Sequence, residues 1–133
     1  MSNERPIHFL EETPEKKERF LAAWKRGIGR LGTDLFGPAV PEDARDKDDL
    51  KPLREVVDVR FPSLNRGEQQ LLGAMVSFFD PDWGEKLAAR TEDEKCLCGL
   101  TFNLDQDAME IVCALLSNYT GWEKLDMSST YQA

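Results

Sequence analysis

Residues 27–32 read GIGRLG, the glycine spacing that in a dinucleotide-binding loop lets the backbone turn tightly against a pyrophosphate. That chemistry needs a buried strand before the loop and a helix after it, whose N-terminal N–H groups hold the phosphate. Here the flanks are reversed: an amphipathic helical stretch containing Lys25 and Arg26 precedes the glycines, and a proline-bearing loop follows. The glycines then fall near a helix C-terminus, where the dipole repels phosphate. They are read as a helix end, or as a place where another element packs closely.

Cys96 and Cys98 have the spacing to give two thiolates to zinc or copper, with Cys113 and His8, the single histidine, as further ligands. Strand alternation opposes this. Cys96 and Cys98 share one face with Leu100, Phe102 and Leu104, so they read as small core residues, and Cys113 reads as a buried thiol at the edge of a helical apolar arc. No second CxxC or ExxH supports a site. Three acidic spacings, Asp46-x-Asp48, Asp80-x-Asp82 and Asn103-x-Asp105-x-Asp107, lack the glycine and glutamate of a calcium loop and read as helix caps and turns. No catalytic residue, cofactor or metal is assigned.

Charge is the more informative surface property. The chain carries a net −8 with a pI near 4.7, which disfavours direct binding to nucleic acid or to an anionic membrane. Yet Pro14 to Gly32 holds a net +4, leaving −12 on the remainder. Within it Arg19, Arg26 and Arg30 recur at i, i+7 and i+11, one line on the solvent side of a helix. One reading neutralises that line with the acidic loop Glu42 to Asp49, through surface pairs of typically under about 1 kcal/mol each. The other makes it an interaction face for an acidic partner protein or for the acidic side of a second copy.

The elements that position these residues follow from caps and periodicity. Thr13-Pro14 starts a helix whose Phe20, Trp24, Ile28, Leu31 and Leu35 form an apolar stripe. Gly32 to Asp49 reads as a connecting loop; beyond it Leu50, Leu53 and Val57 match a helical period while Val57, Val59 and Phe61 alternate, and the favoured reading is a short helix or turn near Pro52 followed by a strand over Val56 to Phe61. Asn65 and Glu68 form a capping-box spacing ahead of a helix over Arg66 to Phe79, and Asp80-Pro81 begins another to about Arg90. A strand over Cys96 to Leu104, a last helix over Asp105 to Tyr119 and an extended Ile7 to Leu10 complete the chain. Gly121 reads as the C′ glycine of the last helix, with Trp122 folding back on Leu116.

The expected architecture is mainly α: four helices in one compact domain, with or without a small two- or three-stranded sheet that would make it α+β. Its core should contain Trp24, Leu71, Leu72, Val76, Phe79, Ile111, Val112 and Leu115. At 133 residues, 1–125 read as a single globular domain and 126–133 as a polar, flexible tail. The start of the chain lacks a signal-like apolar region, there is no membrane-length apolar run, and three cysteines make a poor disulfide framework. A cytoplasmic location with reduced thiols is expected. The favoured function is protein–protein binding without catalysis, as an adaptor, inhibitor or immunity-type factor acting on a protein partner or by self-association. The alternatives are a small enzyme or ligand-binding domain built from dispersed residues, and a nucleic-acid-mimic inhibitor.

Overall fold

The first helix, α1 (Pro14–Leu31), begins where Thr13 can cap it: the Thr13 hydroxyl accepts from the Lys16 N–H at 3.1 Å, and Pro14 occupies the first turn. The computed structural model describes residues 13–91 and 103–122. Within them four further helices follow, α2 (Arg54–Arg60), α3 (Arg66–Phe79), α4 (Pro81–Arg90) and α5 (Gln106–Asn118). Two short strands, β1 (Phe36–Pro38) and β2 (Leu50–Pro52), pair antiparallel, with Phe36 opposite Pro52 and Pro38 opposite Leu50. The fold is thus mainly α with a small sheet, and α2 is a helix that was not expected. The expected Ile7 to Leu10 segment, residues 96–102 of the strand expected over Cys96 to Leu104, His8 and the tail from 126 lie outside the described residues; Asn103 and Leu104, the described end of that strand, are not extended sheet structure.

The caps are the predicted ones. Asn65 and Glu68 form a reciprocal capping box at the start of α3, at 2.8 and 3.0 Å. Asp80 accepts from the Trp83 N–H to start α4, and Asp105 accepts from the Ala108 N–H to start α5. Asp46 caps a one-turn 3-10 segment through the Asp48 N–H. The three acidic spacings therefore begin helical turns, and among the described residues no group of three or more metal-binding side chains converges.

Two expectations about extended structure need correction. Val56 to Phe61 is not a strand: it lies within α2 and the 3-10 turn that follows. Leu53, Val57 and Phe61 recur every fourth residue, and Val57 and Phe61 are fully buried while Val59 is 77% exposed. A strand would have turned Val59 inward with them. The sheet forms instead from β1, inside the stretch expected to be a loop, and β2, directly after it. Leu35 and Leu50 anchor it in the core, and the Leu53 N–H donates to the Leu35 carbonyl at 2.8 Å.

The α1 stripe packs against Leu71, Leu72, Met75 and Val76 of α3 and against Ile111, Val112 and Leu115 of α5, all buried. Phe79, expected in the core, is only partly buried and meets Trp83 and Trp122 edge-on. The Trp24 indole N–H donates to the Leu50 carbonyl at 2.8 Å, tying α1 to β2 in the interior. Gly84 lets α4 lie directly on α3, since a Cβ there would sit 2.6 Å from the Ser77 Cα. In GIGRLG, Gly27 faces the Met75 thioether, and Gly32, with φ of 123°, ends α1 in a conformation that disfavours a side chain. Trp122 does not fold onto Leu116. Gly121, with φ of 102°, lies two residues past the α5 cap Tyr119 and leads Trp122 into the aromatic cluster. There it meets Trp24 at 5.0 Å and Phe20 at 6.2 Å, with the Lys47 ammonium over its ring.

Candidate interaction face on α1 and α5

α1 and α5 run antiparallel. The last turn of α1 meets the first turn of α5 through Arg30 and Asp105, whereas Phe20 near the start of α1 touches Tyr119 beyond the end of α5, at 5.7 Å. The arginine line lies along their outer seam. Arg30 bonds Asp105 through both guanidinium nitrogens, at 2.7 and 3.1 Å, and reaches Asp107 at 2.8 Å. Arg26 bonds Asp107 and lies 3.9 Å from Glu110.

These pairs set the protonation of the seam. The Arg30 guanidinium, aided by the Ala108 N–H, holds the Asp105 carboxyl down to about 2. Asp107 is lowered by Arg30 and then Arg26, and Arg30 is raised well above its ordinary value by Asp105 and Asp107. All these side chains keep contact with water, so the pairs orient the seam more than they stabilise it.

The acidic loop expected to neutralise the arginines does not do so. It lies against the lysines of α1: Lys17 pairs with Asp46 at 3.5 Å, and Lys25 donates to the Ala44 carbonyl at 2.9 Å. Burial raises the Asp46 carboxyl, and the Asp48 N–H, Lys47 and Lys17 outweigh it, leaving a net lowering. Carboxylates 75 to 81 residues away in sequence take Arg30 and Arg26 instead.

Arg19 differs from the other two. Seven residues before Arg26 on α1, it stands level with Ser117, seven residues after Glu110 on the antiparallel α5. The second half of α5, CALLSN, contains no carboxylate, and Arg19 is exposed with no ion pair among the described residues. α5 also carries apolar side chains outside the core. Leu116 is 58% exposed, Cys113 is exposed rather than buried as the periodicity suggested, and Met109 is partly covered. Met109, Cys113 and Leu116 recur at i, i+4 and i+7, a second apolar stripe on a helix whose inner face is already filled by Ala108, Ile111, Val112 and Leu115. That spacing is visible in the sequence, masked by the stronger inner stripe beside it.

A cleft of about 260 Å³ lies between the N-termini of α3 and α5, lined by Arg30, Asn65, Glu68, Asn103 and Asp105 among others. Four of its polar side chains are already paired: Asn65 and Glu68 cap α3, and Arg30 and Asp105 form the seam pair. No helix among the described residues is long and apolar enough to cross a membrane. Comparison with protein-family models, curated proteins and solved structures finds no match for the chain.

Proposed function

We propose that this chain works by binding a protein, as an adaptor, inhibitor or immunity-type factor, through the outer seam of α1 and α5, and that it carries out no catalysis itself. The supporting observation is that α5 leaves Cys113 and Leu116 exposed while Arg19 of α1 has no ion-pair partner among the described residues. Uncovered apolar side chains and a cation without an ion pair on the same two helices suit a partner that presents both apolar and acidic surface, since the charge steers encounter and the apolar contact holds it. Reading the α3/α5 cleft as a small-molecule site has less support, because four of its polar side chains are already paired and its volume is small for a ligand pocket.

The test compares native-cell capture by the wild type with capture by Leu116→Asp and Arg19→Glu, each checked for unchanged helicity and melting temperature. A stoichiometric protein recovered by the wild type and lost by both variants is the expected result. Equal recovery by all three, or no stoichiometric protein, overturns the proposal.

A further inference from the structure

We infer that Trp122 is a removable plug: the strap from Thr120 to Trp122 swings out about Gly121 while the helices stay packed, and so uncovers the aromatic slot formed by Phe20, Trp24 and Phe79.

The three tryptophans are held differently. Trp24 is fully buried, and its indole N–H donates to the Leu50 carbonyl at 2.8 Å. Trp83 is 3% exposed and donates to the Asp58 carboxylate at 3.0 Å. Trp122 is as deeply buried as Trp83, yet its indole nitrogen has no hydrogen-bond partner among the described residues. Water supplies that bond as soon as the ring leaves, so the missing partner shifts the balance toward release by about five-fold to about 150-fold relative to a paired indole. The ring is held instead by its neighbours: Trp24 at 5.0 Å, Phe79 at 5.3 Å and Phe20 at 6.2 Å, with the Lys47 ammonium 4.9 Å from its centroid.

The backbone supplies the hinge. Tyr119 caps α5 and is anchored by its hydroxyl, which donates to the Phe78 carbonyl at 2.8 Å. Beyond it Thr120, Gly121 and Trp122 belong to neither helix nor strand. Gly121 has a φ of 102°, and the space where its Cβ would stand is open. Rotation at this glycine releases the ring while Tyr119 stays in place. Release also leaves the helices joined, because α1 meets α3 and α5 where Gly27 faces Met75 and Ile111, and again where Arg30 bonds Asp105. The fold thereby contains a two-state element that hides an aromatic surface in one state and presents it in the other.

Hydrogen exchange of the indole N–H groups, followed by NMR on the full chain over a series of low urea concentrations, tests the inference under conditions in which reclosing outruns exchange. The Trp24 proton exchanges through global unfolding, with the full urea dependence of that transition. The Trp122 proton is expected to exchange about 100-fold faster or more, with a urea dependence smaller than that of Trp24 but above zero, the mark of a partial opening. Gly29→Ala, which strengthens α1 in both the closed and the released state, slows Trp24 exchange by about two-fold to about five-fold and leaves Trp122 exchange unchanged.

Exchange of Trp122 at the Trp24 rate and with the same urea dependence overturns the inference, since the ring then leaves only when the whole chain unfolds. Equal slowing of both protons by Gly29→Ala overturns it for the same reason. Fast Trp122 exchange with no urea dependence overturns it as well, because solvent then reaches the ring without any movement of the strap.

Discussion

Arg30 grips Asp105 with two prongs, Nη2 to Oδ2 at 2.7 Å and Nη1 to Oδ1 at 3.1 Å, fastening the last turn of α1 to the residue that caps α5. Asp105 accepts from the Ala108 N–H at 2.9 Å with the same oxygen that one prong reaches. One carboxylate thus starts a helix and locks it to another, which fixes where the seam of α1 and α5 begins.

Acid should loosen that lock in a defined window. The folded Asp105 titrates at about 2, below its ordinary 3.8, so its stabilisation is fully present above 3.8 and is lost as pH falls through 2. Asp107 is lowered too and adds in the same direction. Melting temperature should drop across this window, and Arg30→Gln should flatten that part of the profile while an NMR titration shows Asp105 moving up toward its ordinary value. An identical acid slope in the two proteins would contradict the assignment.

Trp24→Phe keeps most of the buried ring but removes the donor that satisfies the Leu50 carbonyl. An acceptor left unpaired in the interior costs about 1–3 kcal/mol. Urea unfolding should show that loss as a lower midpoint with little change in slope.

Two glycines should respond oppositely to alanine. Gly29 lies within α1 with nothing near the position a Cβ would take, so Gly29→Ala stabilises by about 0.5–1 kcal/mol through helix propensity. Gly84→Ala would drive a methyl to 2.6 Å from the Ser77 backbone. It separates α3 from α4 at about 1–3 kcal/mol of overpacking, and thermal melts of the pair should bracket the wild type.

Trp122→Ala removes a side chain that is 2% exposed and touches Phe20, Trp24 and Phe79. A loss of about 3–5 kcal/mol is expected, measured by chemical denaturation. If stability is unchanged, Trp122 does not belong to the core.

What could be read from the sequence is what depends on neighbours a few residues away. Thr13, Asn65, Asp80 and Asp105 announce their helices because a cap is local, and the α1 stripe is visible because Phe20, Trp24, Ile28 and Leu31 repeat at helical spacing, whereas Leu35 falls beyond the helix in a 3-10 turn. Val56 to Phe61 fits two periods in so short a span, and what decides between them is distant: Pro52 is already paired with Phe36 in the sheet. The site divides the same way. Periodicity aligns Arg19, Arg26 and Arg30, but which carboxylates meet them depends on α5 returning alongside α1, and the acids nearest in sequence fold onto Lys17 and Lys25 instead. Cys113 was misplaced because α5 has two apolar arcs and only tertiary packing says which one is covered.

The pairing of α1 with α5 and Trp122 also sets an order of events during synthesis. Phe20, Trp24 and Ile28 emerge early, but Ile111, Leu115 and Trp122, which help to cover them, are translated some ninety residues later. At about 5–20 residues per second, that leaves an uncovered apolar helix waiting for several seconds. The nascent chain therefore finishes its core only once Ile111, Leu115 and Trp122 have been made, and during that interval α1 is the surface a chaperone would hold.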